Sequence, residues 1–221
     1  MGYQSVQFYP YDDMRTGYTL RDVTYHCQCL AENCSTLCVK YMSYDAEISD
    51  GLMVAIQGWV EPCYFEAEAC LSSIVRSYEL LQYRISRRML GKGNIPRSYE
   101  KMLEMIDSKV PTSKQESEIK KLVLSTKSNF IKLKEYRDCL QHNTFLSALF
   151  SHGYLNDLGA GIWGAHLPLP DNPECKSFQL FTFGQHLDAL TYCWEATNAL
   201  VSFVEKLTRL LQQKKSENIA N

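Results

Sequence analysis

The stretch from Glu116 to Ser151 contains neither proline nor glycine and carries its apolar residues at helical spacing. The apolar positions recur at steps of three or four residues, which places them on one face of a helix. They are Ile119, Leu122, Leu133 and Leu140, with Thr126 and Phe130 between them. The pattern predicts one long helix from Glu118 to about Phe150. A long amphipathic helix of this kind directs the chain toward a helical bundle.

Other segments of the chain show the same periodicity. Helices are predicted from about Leu20 to Tyr44, from Cys63 to Leu90, from Tyr99 to Asp107 and from Gln185 to Lys214. Glu61-Pro62 is a helix-start signal for the second of these, and the glycine-rich stretch up to Pro96 ends it. The sequence therefore predicts an all-α fold, an up-and-down helical bundle.

Residues 153–185 differ from the rest of the chain in their glycine and proline content. Within them, Ser177–Phe183 suits a short strand, and Ile162–Leu167 could pair with it across the proline-rich turn. We therefore expect a small β-hairpin or flap inserted before the last helix. The expected domains are an N-terminal extension, residues 1–60, with a helix packed on the bundle, and the helical bundle itself, residues 61–221, which includes the insertion at 153–185.

Charge and hydropathy narrow the classes of function. The formal net charge is −2 and the isoelectric point is near 6.2, so the chain lacks the global basic field of a high-affinity nucleic-acid binder. An enzyme that engages a short RNA at a local basic cleft stays compatible with this charge. No window reaches the ~20 apolar residues of a membrane helix, and residues 1–20 lack a signal-peptide pattern. We expect a cytoplasmic protein without membrane contact.

The cysteines admit two interpretations. The chain has nine, an odd number, and its helical patterning is unlike that of a disulfide-stapled secreted domain, so reduced thiols are expected. The segment from His26 to Cys38 is rich in cysteine and could supply zinc ligands. Its cysteines also fall on or beside an apolar helix stripe, where free cysteine behaves as a small buried apolar residue. Because structural zinc sites use paired C-x2–4-C spacings, the second interpretation is favoured and no metal is expected.

A charged residue interrupts the apolar face of the long helix. Continuing the apolar spacing from Leu133 leads to Arg137, and burial of an unpartnered charge is unfavourable. His142 follows Asp138 by four residues and shares its face. One interpretation is a functional cluster of a cation, an anion and an imidazole. The alternatives are a structural histidine and a buried ion pair of the arginine with Glu79 or Glu195.

The pattern Arg137-Asp138-x3-His142 resembles the R-x4-6-H motif of HEPN (higher eukaryote and prokaryote nucleotide-binding) domains. The predicted helix order is also similar to that family, and the resemblance covers about Glu61 to Gln213. It implies a metal-independent endoribonuclease, a hydrolase that needs no cofactor and acts as a homodimer on single-stranded RNA. It also implies a toxin-antitoxin or phage-defence setting, with an antitoxin or defence protein as candidate partner. In some members a tyrosine two residues after the histidine is modified by a nucleotidyltransferase; here that position is Thr144.

The resemblance also assigns catalytic roles. His142 would handle the proton of the 2′-hydroxyl or of the leaving group, since an ordinary imidazole pKa of ~6.5 suits proton transfer near neutral pH. Arg137 would hold the phosphate as negative charge builds on it, and Asp138 would orient the imidazole. A straight helix separates Arg137 and His142 by ~140° about its axis. One active centre is therefore more easily built from two chains than from one.

Basic residues outside the motif are candidate RNA contacts. Arg84, Arg88 and Lys134 are the expected substrate-binding residues, and further lysines and arginines near Gly91 extend the basic run. A solvated surface explains such a run equally well. Two other functions stay open: a catalytically inactive HEPN-like scaffold that binds a partner protein or nucleotide, and a cysteine-rich metal-binding bundle.

Overall fold

The structure is a computed structural model that describes residues 14–42, 49–142, 154–157 and 163–217. Its helices are α1 (Met14–Met42), α2 (Ser49–Met89), α3 (Tyr99–Ser108), α4 (Lys114–Leu124), α5 (Lys127–His142) and α6 (Ala189–Glu217). The predicted all-α helical bundle is confirmed. Within these ranges, no helix has the length and hydropathy that crossing a membrane requires.

The core lies where α1, α2 and α6 meet. Val23 of α1, Ile74 of α2 and Leu200 of α6 are fully buried in one continuous cluster. Towards the end of α2, an aromatic cluster joins this helix to α3 and α5. Its rings are those of Tyr78, Tyr99 and Phe130, whose centroids lie 4.7 to 5.5 Å apart. These contacts fix α5, which carries the candidate motif, against α2.

Helix α2 continues through Pro62, so the predicted start at Cys63 is wrong. Proline removes one helical hydrogen bond and is normally unfavourable inside a helix. Here the neighbouring Val60 and Cys63 are buried against the core, and the Pro62 carbonyl accepts a hydrogen bond from the Asn33 amide of α1 at 3.4 Å. Packing between helices therefore outweighs the local signal. The predicted domain boundary between residues 60 and 61 falls inside this helix.

The predicted single helix from Glu118 to Phe150 is also wrong over its described part, because α4 ends at Leu124 and α5 begins at Lys127. The hydroxyl of Thr126 donates to the Val123 carbonyl at 2.7 Å and accepts from the Tyr99 hydroxyl, 2.9 Å away. A threonine hydroxyl that bonds a nearby carbonyl competes with the helical pattern. Residues 143–150, where the helix was expected to end, lie outside the described residues.

The break changes which residues of α5 are buried. After Leu133 the buried positions are Tyr136, Cys139 and Leu140, with exposed fractions of 0%, 3% and 9%. Arg137 lies at the edge of this face, with 22% of its side chain exposed. Arg137 therefore borders the buried face and is mostly covered, although it is less buried than Tyr136, Cys139 and Leu140.

The segment before α6 differs from the predicted hairpin. Strand β1 (Tyr154–Asp157) pairs antiparallel with β2 (Trp163–His166). The partner of β2 therefore precedes it in the sequence, whereas the predicted partner follows it. The predicted strand Ser177–Phe183 is wrong, because Phe178–Leu180 forms a single 3-10 turn. The side chain of Asn172 explains the difference: its amide donates to the Leu180 carbonyl and its oxygen accepts the Thr182 N–H. Such local bonds replace those of a strand ladder.

Asp188 fixes the start of α6, four residues later than the predicted start at Gln185. One carboxylate oxygen accepts the Thr191 N–H at 2.8 Å, which is the bond of a helix N-cap. The other accepts the Leu167 N–H, also at 2.8 Å. A single side chain therefore starts the last helix and holds the end of β2 against it.

Candidate functional site

Arg137 and Asp138 form an ion pair between neighbours on α5. The guanidinium donates through Nε at 2.9 Å and through Nη2 at 2.6 Å to the same carboxylate oxygen, Oδ1 of Asp138. The arginine thus pairs with the adjacent aspartate, whereas the alternative drawn from the sequence had paired it with Glu79 or Glu195. The contact orients the guanidinium and leaves its Nη1 edge without a partner among the described residues.

His142 is the last residue of α5. Its backbone belongs to the helix, and its side chain lies outside the described part of the chain, as does Thr144. The predicted contact between Asp138 and the imidazole therefore stays a prediction. The structure adds that Asp138 already uses one oxygen for Arg137, so the other oxygen is the one left for His142.

The face of α5 that carries Arg137 and Asp138 is tied to two other helices. Lys134, one turn earlier, makes an ion pair with Glu100 of α3, 3.0 Å between Nζ and Oε2. Gln141, one turn later, donates to the Ser72 hydroxyl of α2 at 3.1 Å. The motif is therefore held between two cross-links. Lys134, expected to bind RNA, has a carboxylate partner within the chain.

A cleft of about 490 Å³ opens beside Asp138, between α5 and the loop after Pro173. Its charged lining is mostly acidic, and Lys176 is the only cation among the described lining residues. The lining residues are Glu135, Asp138, Cys139, Pro173, Glu174, Cys175 and Lys176. Burial, with added repulsion from nearby carboxylates, holds the pKa of Tyr136 above its usual range. This cleft suits a cationic or neutral group better than a phosphate chain.

The predicted substrate residues on α2 lie away from the motif. Gln141 meets α2 at Ser72, and the helical rise puts Arg84 about 18 Å and Arg88 about 24 Å further along the axis. Arg88 donates to the Gln115 side chain of α4, and that amide donates in turn to the Leu210 carbonyl of α6. Arg88 therefore joins three helices, while Arg84 is partly exposed and makes no such bridge within the described residues.

A second cleft, of about 240 Å³, lies between α2, α5 and α6 and was missed from the sequence. Two tyrosines, Tyr78 and Tyr192, line it together with Lys132 and Glu195. The sequence contains one weak indication of this cleft, the two alanines Ala196 and Ala199 on α6. Larger apolar residues at these positions would close the gap between the helices.

The described residues contain no group of three or more His, Cys, Asp or Glu side chains arranged to hold a metal ion. In comparisons with known proteins, the chain matches no protein-family model, no curated protein sequence and no solved structure.

Proposed function

We propose that the protein is a metal-independent endoribonuclease that acts as a homodimer on single-stranded RNA. The observation that supports it is the arrangement on α5. Arg137 is half-buried and oriented by Asp138, five residues before the histidine that ends the helix. An oriented guanidinium with one free edge suits a phosphate better than a mobile surface arginine does.

The proposed reaction uses the 2′-hydroxyl of the RNA as nucleophile. The imidazole of His142 removes the hydroxyl proton, the 2′-oxygen bonds to the adjacent phosphorus, and the bond from phosphorus to the 5′-oxygen breaks. A proton delivered to the 5′-oxygen completes the step, which yields a 2′,3′-cyclic phosphate and a 5′-hydroxyl end. Arg137 stabilises the additional negative charge on the phosphate oxygens in the transition state.

Two chains are proposed to build each active centre. Arg137 and His142 are ~140° apart around a straight helix. The two side chains of one chain therefore do not easily contact the same phosphate. In a symmetric dimer, Arg137 of one protomer would face His142 of its partner. The acidic cleft beside Asp138 would repel the RNA backbone. The RNA path is therefore expected on the other side of the motif.

The test is cleavage of single-stranded RNA in the presence of EDTA. The unmodified protein should cut, and Arg137→Ala and His142→Ala should each lower the rate by about 10²–10⁴-fold, the size expected for a catalytic acid–base or charge-stabilising group. Arg209→Ala is the matched control, because Arg209 is an exposed arginine on α6. Cleavage by Arg137→Ala at the unmodified rate would contradict the proposal.

A second candidate is a binding protein without nuclease activity. The observation that favours it is the neutralisation of Arg137 by Asp138, next to an acidic cleft of about 490 Å³. An RNA-cleaving site needs net positive charge at the phosphate. If the unmodified protein leaves RNAs of several sequences intact in EDTA and in Mg²⁺, this second function is the better one.

A further inference from the structure

The cleft between α2, α5 and α6 is separate from the Arg137 motif and owes its existence to small side chains. Ala196 and Ala199 of α6 line it where α6 passes Leu133 of α5. Helices pack at 8–10 Å when side chains fill the space between them. At these alanines nothing fills it, and a space of about 240 Å³ is left.

The walls of this cleft are rigid and aromatic. Tyr78 is 2% exposed, and its ring packs against those of Phe130 and Phe203 at 5.5 and 5.6 Å between centroids. Tyr192 stands edge-on to the Tyr136 ring at 4.7 Å. Walls held in this way give a cleft that is already formed before a ligand arrives.

The tyrosine hydroxyls in and beside the wall of this cleft differ in their hydrogen bonding. The hydroxyls of Tyr99 and Tyr136 bond to Thr126 and to the Pro170 carbonyl, respectively. That of Tyr78 has no hydrogen bond with a described residue, but it does not count as fully enclosed: in the described part of the chain, Ser86 Oγ alone is an enclosed side-chain polar atom without a partner. Burial raises the pKa of Tyr78 to about 12, so at neutral pH the group keeps its proton and can donate it. The Tyr78 hydroxyl therefore adds one hydrogen-bond donor to a mostly aromatic wall.

Two opposite charges on different helices line the cleft. Lys132 comes from α5 and Glu195 from α6. Among the described residues neither makes an ion pair, and the lysine ammonium sits 5.8 Å from the centroid of the Tyr136 ring. The pair therefore presents one cationic and one anionic group that are not satisfied by each other. The amide of Asn129 adds a polar group on the α5 side.

We propose that this cleft binds a small zwitterion with an apolar body, of which a free apolar or aromatic amino acid is the simplest. The ligand carboxylate pairs with Lys132, its ammonium group pairs with Glu195, and its side chain lies against Tyr78 and Tyr192. The volume of about 240 Å³ is below the ~300–1,000 Å³ of sites for drug-sized ligands, which matches a ligand of this size. The proposal does not depend on ribonuclease activity.

The test is isothermal titration with L-phenylalanine and L-leucine. Both should bind with a Kd below about 1 mM. Phenethylamine lacks the carboxylate and 3-phenylpropionate lacks the ammonium group, so each should bind about tenfold more weakly than phenylalanine, as expected for loss of one charge-assisted contact. Equal binding of either analogue, or no binding of either amino acid, would overturn the proposal.

Variants locate the site. Lys132→Met and Glu195→Gln should each weaken phenylalanine binding about tenfold, whereas the exposed controls Lys127→Met and Glu205→Gln should not change it. Ala196→Leu should fill the cleft and abolish binding. If that variant does not fold, Ala199→Leu, a milder change, and the two charge variants test whether phenylalanine binds in this cleft. Unchanged affinity in both charge variants would overturn the placement.

Discussion

At the scale of single residues, the Arg137 guanidinium makes both of its bonds to Asp138 through one carboxylate oxygen, Oδ1. The spacing identified a cation, an anion and an imidazole within two turns of helix. It assigned Asp138 to His142, four residues away, because side chains at that spacing share a helix face. In the structure the carboxylate contacts the adjacent arginine. The long arginine side chain reaches its neighbour, a contact that the i, i+4 spacing does not predict, while the contact of Asp138 with His142 stays a prediction.

Thr126 makes the residue-scale contact that is easiest to test. Replacing it with valine keeps the volume and removes the hydroxyl, so the fully buried Tyr99 hydroxyl loses its acceptor. We expect the free energy of unfolding to fall by about 1–3 kcal/mol, the penalty for an unsatisfied buried polar group. Urea denaturation followed by circular dichroism measures it.

The control is the double variant Thr126→Val/Tyr99→Phe. It removes both partners, and the loss should be smaller than the sum of the two single losses. Strictly additive losses would show that the two hydroxyls contribute independently and that their contact does not stabilise the break between α4 and α5.

At the scale of elements, periodicity predicts where helices exist and the bounds of α3, but not the start of α2 or the break between α4 and α5. The helices were recognised because apolar residues repeat every three or four positions. Pro62 locally signals a helix start, and the continuation of α2 through it depends on packing against α1. The break at Thr126 depends on Tyr99, which is distant in sequence. Both errors come from tertiary contacts that a local pattern does not contain.

The N-terminus of α4 carries a pH-dependent contribution to stability. Hydrogen bonds from the Thr112 N–H at 3.0 Å and the Thr112 hydroxyl at 2.9 Å, with Lys109 at 3.2 Å, lower the pKa of Glu116 from 4.5 to about 2. The folded state therefore stabilises the charged form of the Glu116 carboxyl group more than the unfolded state does. This contribution is fully present above about pH 4.5 and is lost as pH falls toward 2.

Glu116→Gln should accordingly destabilise the protein by about 1–2 kcal/mol at pH 7. The difference from the unmodified protein should shrink below about pH 4.5 and nearly vanish near pH 2. Urea denaturation over this pH range measures it, with Glu118→Gln, an exposed acid on the same helix, as control. A difference that stays constant down to pH 2 would contradict the assigned contacts.

At the scale of the whole molecule, the cysteines belong to the core more than to a reactive site. All nine are free thiols, of which six are buried and three are partly exposed. The partly exposed ones are Cys29, Cys38 and Cys175. A hydrogen bond with Cys70 and burial hold the pKa of Cys27 above its usual range, which lowers its reactivity. The sequence anticipated this role because several cysteines lie on the apolar stripe of α1.

Thiol titration tests this distribution. A disulfide reagent should react quickly with at most three thiols of the folded protein and with all nine after denaturation in guanidinium. Replacing Cys29, Cys38 and Cys175 with serine should leave almost no fast reaction. Rapid modification of the buried thiols in that triple variant would contradict the packing of α1 against α2 and α6.

The whole-molecule proposal of a shared active centre is tested most directly by complementation. The variants Arg137→Ala and His142→Ala are mixed in equal amounts and allowed to exchange subunits. Native mass spectrometry measures the extent of this exchange. If each centre takes its arginine from one chain and its histidine from the other, half of the dimers contain one intact centre. The mixture should then recover about a quarter of the unmodified activity on single-stranded RNA. No recovery despite confirmed exchange, or no cleavage by the unmodified protein, would contradict the proposal.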